Sequence, residues 1–311
     1  MKIFNSLDEI KGIEPTVIAL GNFDGVHKGH QQIIERTVKS AEAAGLKSAV
    51  FTFSNHTRTL LKNLPAVKNI LYPEEKAEIM ESMGIDYLLN IPFTKDILTM
   101  SPEAFVKDIL VDRLRIREAY CGFNYSFGYK AMGTPEVLMH EGLKHGFGIH
   151  VQEPYMIDGV VVSSTYIRQL IADGKMEECT KFMGRMYAIG GEVVVGNKRG
   201  RTIGFPTSNI MLDETMAAPP NGVYVTFCTY NGTRYPSITN VGVKPTVGTY
   251  NKNIETHIFN FDKELYGKQI RVEFVKRMRE ERKFARVEEL SKRIEHDCIM
   301  AKAYHREHGS L

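Results

Sequence analysis

Thr16-Val17-Ile18-Ala19-Leu20-Gly21-Asn22-Phe23-Asp24-Gly25-Val26-His27-Lys28-Gly29-His30 is the stretch on which the fold of this chain turns. Thr16 to Leu20 is a short apolar run with the length and composition of a buried strand. Gly21 to Gly25 is a glycine-rich turn. A helix is predicted from His30 to about Ala44, with Ile33, Ile34, Val38 and Ala41 on one face and Gly45 as its stop. Ser48 to Phe53 reads as the next strand. Strand, crossover helix and strand make a βαβ unit, and that unit argues for a parallel sheet.

The pattern continues outward from this unit. A helix is expected from about Pro73 to Met83, a strand from Tyr87 to Ile91, a helix from Pro102 to Leu114 and a strand from Glu118 to Cys121. The first part of the chain is therefore α/β, with a Rossmann-like arrangement expected. Beyond about Met183 the period changes. Tyr224 to Tyr230 and Arg234 to Thr239 flank Asn231-Gly232, a strong hairpin signal. Ile254 to Phe261 and Gln269 to Val275 read as further strands, and Val287 to His305 as a closing amphipathic helix. Several short strands with few helices between them suggest a small antiparallel β-barrel. The expected domains are residues 1–184 and 185–311.

Composition narrows the function classes. The 311 residues carry 40 Lys and Arg against 37 Asp and Glu, a net charge of +3, too small to imply a nucleic-acid or membrane partner by itself. With 26 glycines and 12 prolines, collagen-like and low-complexity readings fail. The four cysteines, Cys121, Cys179, Cys228 and Cys298, form no C-x-x-C pair, so buried thiols in a reducing compartment are expected. The N-terminus turns polar at once and no apolar run approaches about 18 residues, so neither a signal peptide nor a membrane span is expected. A cytoplasmic protein, monomeric or weakly self-associating, is the expectation.

Two segments carry candidate chemistry in the first part. The turn Gly21-Asn22-Phe23-Asp24-Gly25, with His27, Gly29 and His30, follows the first buried strand, and ligands of open parallel sheets bind outside the carboxyl ends of strands. A helix N-terminus there offers N–H groups and a positive dipole to phosphate. The spacing matches neither the Walker loop nor G-x-G-x-x-G. Turn-and-cap residues, or a pair of metal-binding imidazoles, are the other readings. Ser163-Ser164-Thr165 with Arg168 is a second anion-binding candidate, read alternatively as a helix cap followed by a surface arginine.

These residues, Gly21 to His30 followed by Ser163-Ser164-Thr165 and Arg168, resemble the bacterial bifunctional riboflavin kinase/FAD synthetase family. The later motifs appear in order: Gly200-Arg201-Thr202-Ile203-Gly204-Phe205-Pro206-Thr207-Ser208-Asn209, Asn240-Val241-Gly242-Val243-Lys244-Pro245-Thr246 and Glu255-Thr256-His257. The resemblance covers essentially the whole chain. It implies that the C-terminal barrel phosphorylates riboflavin with ATP, giving FMN, and that the N-terminal domain joins FMN to AMP from a second ATP, giving FAD and pyrophosphate. Glu255 matches the position of the base for the riboflavin hydroxyl. Thr207 and Asn209 match the ligands of Mg²⁺, a hard cation that takes oxygen donors. The loop Gly196 to Gly204, with Lys198, Gly200 and Arg201, and Pro206 would wrap the ATP phosphates. His27, His30 and Arg168 would stabilise and position charge in the adenylylation step, for which FMN phosphate needs no strong base.

Phe53, Phe123, Asn124, Phe127 and Arg279 are the flavin-side candidates, the aromatics having core packing as their alternative. The family's G-x-D-F-x-F-G appears here as Gly122-Phe123-Asn124-Tyr125-Ser126-Phe127-Gly128, so a carboxylate is replaced by an amide. F-x-P-H-P becomes Phe53-Ser54-Asn55-His56-Thr57, losing two prolines and their rigidity. A chain with one of its two sites impaired is therefore an alternative reading. So are a nucleotidyltransferase for another substrate, given the H-x-G-H of class I aminoacyl-tRNA ligases, and a non-catalytic flavin or RNA binder.

Overall fold

Alternation along the second strand sets both faces of the first sheet. The computed structural model describes residues 1–55, 67–196, 204–246, 249–282 and 284–310, and the chain divides into two units, Met1–Ser164 and Thr165–Leu311. In the first unit, β1 (Lys2–Phe4) is followed by β2 (Thr16–Leu20), α1 (Lys28–Ala44), β3 (Lys47–Phe53) and α2 (Pro73–Ser82). Next come β4 (Tyr87–Ile91), α3 (Lys95–Thr99), helix α4 beginning at Pro102–Ala104, β5 (Ile116–Gly122), α5 (Pro135–His145) and β6 (Gly148–Gln152). A small hairpin of β7 (Met156–Ile157) and β8 (Val160–Val161) closes the unit. All five residues of β2 are buried. Ile18 and Leu20 enter one apolar cluster with Phe51, Phe105 and Ile109, while Ala19 enters another with Ile34, Val50 and Met80. A strand buried on both faces belongs at the centre of a covered parallel sheet.

The six strands run in the order β1-β4-β3-β2-β5-β6, and every pairing is parallel. From β2 the chain first builds outward through β3 and β4, then returns to place β5 on the other side of β2. The carboxyl end of β2 therefore lies at the point where strand order reverses, where open α/β sheets bind ligands. Helix α1 starts two residues earlier than the apolar pattern indicates, because His27 caps it. The helix expected from Pro102 changes its winding: residues Phe105–Arg113 form a π-helix, in which Leu114 N–H reaches back to Ile109 O. The wider turn keeps Phe105, Val106, Ile109 and Leu110 all buried.

The second unit contains helix α6 (Ser164–Asp173), which crosses the division, then α7 (Met176–Met183) and six strands. The strands are β9 (Tyr187–Glu192), β10 (Ser208–Met211), β11 (Gly222–Tyr230), β12 (Thr233–Thr246), β13 (Thr249–Ile258) and β14 (Gln269–Arg279). They pair antiparallel in the order β10-β13-β12-β11-β14-β9. Val194, just past β9, donates its N–H to Asn209 O on β10, so the two ends of the sheet meet and nearly close a barrel. Asn231 and Gly232 form the β11–β12 turn with φ of 47° and 74°, the left-handed pair a two-residue hairpin of type I′ requires.

Inside the barrel, Thr226 contacts Ser237 and Thr239 at 2.8 Å each, and Thr239 contacts Thr256 at 2.9 Å. All four side chains are buried, and their hydroxyls satisfy one another. Helix α8 (Val287–Glu307) covers part of the outside, placing Cys298 and Ala301 against Val223, Val225, Phe227 and Phe259. Arg279 grips buried Asp297 of this helix through Nε and Nη2, in a two-pronged pair.

Candidate active sites

The first site is built by the turn after β2. Phe23 (φ 49°), Gly25 (φ 82°) and Val26 (φ 33°) all lie in the left-handed region. A β-branched residue there is an outlier costing about 1–3 kcal/mol, and such strain is kept where the surroundings over-determine it. Phe23 and Val26 are both buried, and Gly25 packs against Ile70, whose side chain would lie 3.0 Å from an added Cβ. Asp24 accepts the Ile70 N–H on Oδ1 at 2.9 Å, while its backbone oxygen accepts the Ser164 hydroxyl at 2.8 Å. Thr52 Oγ1 donates to Asn22 O at 2.8 Å.

His27 then ends the turn and begins the helix. Its Nδ1 accepts the His30 N–H at 3.2 Å, so the ring proton of the neutral imidazole sits on Nε2. The two imidazoles stack with centroids 3.6 Å apart and planes 17° from parallel. Gly29 permits this, since a Cβ there would meet the His27 ring at 3.3 Å. The turn-and-cap reading of H-x-G-H is met by His27, whose ring stands at the N-terminus of α1. Ser164 joins this site. Ser163 precedes α6, and Thr165 and Arg168 lie on that helix in the second unit, Arg168 one turn after Ser164.

The flavin-side candidates separate by burial. Phe123 is exposed, and Asn124 lies beside it in a turn closed by the Tyr125 N–H bonding to Gly122 O. Phe53 is half-buried, edge-on to Phe51 and Phe93. Phe127 is a core residue packed against Phe105 and Tyr125. The altered segment after Phe53 has its own fastening. Asn55 accepts the Phe93 N–H at 2.6 Å and donates to Phe93 O at 3.2 Å, a side-chain clamp where the family pattern has proline. Its next residues, His56 and Thr57, lie outside the described residues.

The second site lies on the barrel. Antiparallel pairing sets Asn209 opposite Glu255 and Ser208 opposite Thr256. Thr207 Oγ1 donates to Glu255 Oε1 at 2.8 Å, and Asn253, two residues before Glu255 and so on the same face, donates to Asn209 Oδ1 at 3.0 Å. Glu255-Thr256-His257 divides three tasks along β13. Glu255 faces the site and Thr256 enters the buried hydroxyl chain. His257 donates from Nδ1 to Pro206 O at 2.7 Å, holding the segment that carries Thr207; burial pushes its pKa down. An open cleft adjoins Thr207 and Asn209, lined also by Gly196, Lys263, Glu264 and Tyr266 among others.

Gly196 lies against Asn209, whose amide nitrogen would be 2.5 Å from an added Cβ. Because Asn253 also holds that amide, Gly196→Ala is expected to lower the riboflavin-phosphorylating rate by about tenfold or more, with adenylylation of supplied FMN unchanged; separate steady-state assays of the two steps check it. Gly204 (φ 87°) is likewise described. Lys198, Gly200 and Arg201 lie outside the described residues. Arg279, a flavin-side candidate, has its guanidinium engaged by Asp297 and by Glu280 O.

Sequence reasoning did not single out Asn253, although strand alternation from Glu255 pointed to it, nor Lys263 to Tyr266, nor Lys76 behind the first turn.

Comparison with known proteins finds two enzyme families along the chain. A family model of FAD synthetase matches residues 9–166, and one of riboflavin kinase matches residues 183–305. A bifunctional riboflavin kinase/FMN adenylyltransferase of Bacillus subtilis (strain 168) is 37% identical over 288 residues, covering 91% of this chain and 90% of the relative. Its namesake from Escherichia coli (strain K12) is 32% identical over 292 residues, covering 94% and 93%. A crystal structure titled as a macrolide-efflux protein from Streptococcus pneumoniae superposes with a TM-score of 0.88 at 28% identity, covering 97% of this chain and 98% of that one. Among the described residues no helix is long and apolar enough to cross a membrane. The chain belongs to the bifunctional riboflavin kinase/FMN adenylyltransferase family.

Proposed function

We propose that the two sites carry out consecutive steps, riboflavin to FMN on the barrel and FMN to FAD at the switch point of the parallel sheet, with residues 1–184 and 185–311 as the functional halves. The observation that carries the kinase assignment is the Thr207–Glu255 pair at 2.8 Å beside the cleft. Glu255 takes the proton of the riboflavin 5′-hydroxyl as its oxygen attacks the γ-phosphorus of ATP and ADP leaves. Thr207 Oγ1 and Asn209 Oδ1, with the Glu255 carboxylate beside them, form an all-oxygen donor set suited to Mg²⁺. When bound, the ion neutralises phosphate charge. Gly196, Gly204 and Pro206, with Lys198, Gly200 and Arg201 of the same motif, are assigned to the ATP phosphates.

At the other site an FMN phosphate oxygen attacks the α-phosphorus of ATP, and pyrophosphate leaves. No proton has to be removed from the nucleophile, so the task is to bring two anions together. Support comes from the His27 Nε2–H, the α1 N-terminus and the backbone of Gly21 to Gly25, with Ser163, Ser164, Thr165, His30 and Arg168 positioning charge. Phe123 and Asn124 are assigned to the flavin, with Phe53 and Phe127 shaping the wall behind them. The enzyme works in the cytoplasm as a monomer or weak homo-oligomer, without nucleic acid or membrane. In keeping with a reducing compartment, all four cysteines are free and buried, and burial pushes the Cys121, Cys179 and Cys228 thiols up to about 12.

Incubation with riboflavin, ATP and Mg²⁺, resolved by chromatography over time, tests the assignment. FMN should appear first and FAD follow. FMN alone would mean that the first site is disabled, and no product from a folded, flavin-binding chain would overturn the enzymatic reading.

A further inference from the structure

Behind the first turn stands a lysine that the two-step reading leaves without a task. Lys76 is the fourth residue of α2, a helix whose Glu74, Glu78 and Glu81 are exposed, yet it is only 8% exposed. Its Nζ donates to Thr52 Oγ1 at 3.2 Å and to Phe53 O at 3.0 Å. The Thr52 hydroxyl passes its own proton on to Asn22 O at 2.8 Å. The same chain segment that starts α2 also supplies the Ile70 N–H to Asp24 and the Ile70 side chain to Gly25. One short element therefore holds Asn22, Asp24 and Gly25 from behind, and its ammonium stands in the field of the Asp24 carboxylate. An unpaired buried ammonium is costly, so a lysine retained there has to be matched by what surrounds it.

We propose that Lys76 is a positioning residue for adenylyl transfer, holding the Gly21–Gly25 turn in its ATP-receiving shape through Thr52 and Asn22 and offsetting the charge of Asp24. This rests on reading that turn as the nucleotide site. Burial lowers the Lys76 pKa to about 8, against the raising effect of Asp24, so the ammonium loses its proton within the range where the enzyme can be assayed. Among the described residues, the groups set against it are Asp24 from the turn and the uncharged Thr52 hydroxyl and Phe53 carbonyl from β3. On its own helix, the neighbouring Glu75 is turned back to the Tyr72 N–H.

The test uses the full chain and Lys76→Met, measuring riboflavin phosphorylation and FMN adenylylation separately. Lys76→Met should raise the KM for ATP in adenylylation by about tenfold or more, with kcat within about threefold and phosphorylation unchanged. In the unsubstituted protein that KM should rise between pH 7 and 9, and in Lys76→Met the rise should vanish. Thr52→Val removes the middle of the same chain with a smaller change of volume and should raise KM in the same direction. It decides the matter if Lys76→Met does not fold. An unchanged KM in either folded variant, or a pH dependence identical in both proteins, overturns the proposal. His30→Ala is run alongside: if adenylylation survives it, the site assignment itself has failed, whatever Lys76 does.

Discussion

Glu255→Gln is expected to lower FMN formation by about 10²–10⁴-fold, the range a positioned general base contributes, while leaving adenylylation of supplied FMN at its full rate. The substitution keeps the volume and the ability to accept from Thr207, so the strand pairing that sets Asn209 opposite residue 255 should persist. What disappears, on the role proposed for Glu255, is an acceptor for the proton of the riboflavin hydroxyl. Since this interaction matters only as the oxygen attacks, the loss should fall on kcat, with the KM for ATP little changed. A single-turnover assay with enzyme in excess over riboflavin, at saturating ATP, reads the step directly. A loss of both activities with the fold intact would dissolve the division of labour between the two sites.

His27→Ala is expected to have the converse effect, with FMN accumulating and FAD formation falling by about 10²–10³-fold, the cost of removing one donor aimed at developing charge. It also removes a helix cap worth about 1 kcal/mol, because Nδ1 satisfies the His30 N–H. His27→Asn separates these contributions. Its carbonyl oxygen is a good cap, but its amide cannot take the place of a ring stacked on His30 at 3.6 Å. The asparagine variant should therefore recover thermal stability without recovering FAD synthesis. Thermal melts beside flavin chromatography decide it, and recovery of both would make His27 a cap alone.

The contrast between His27 and Lys76 shows where the amino-acid sequence is legible. Thr16 to Leu20, Gly21 to Gly25 and the helix after them are local, each governed by neighbours within a few residues, so strand, turn and helix are readable there. The hairpin at Asn231-Gly232 was readable for the same reason. Glu255, Thr207 and Asn209 were reached through motif resemblance, and the register of β10 on β13 gives that resemblance a geometry. Lys76 was not readable: it is one lysine in a charged helix, and its burial depends on Thr52 and Phe53, more than twenty residues earlier. The Asn55–Phe93 clamp spans 38 residues and was equally hidden; the missing prolines pointed to lost rigidity, yet the side chain supplies another hold. The three-residue β1 is too short to give any period, and the π-winding of Phe105–Arg113 has no signature in apolar spacing.

The hydroxyl chain inside the barrel works as an alignment key. Apolar side chains tolerate sliding, because one methyl group packs against a neighbour much as the next does. Four hydroxyls that satisfy one another at 2.8–2.9 Å do not, since a slip of one residue would turn them outward and a slip of two would strand them unpaired. Thr239 and Thr256 belong to the same β12–β13 ladder that sets Asn240 opposite Glu255. The polar interior therefore selects, among otherwise similar ways of zipping these strands together, the one that delivers Glu255 to its place beside Thr207.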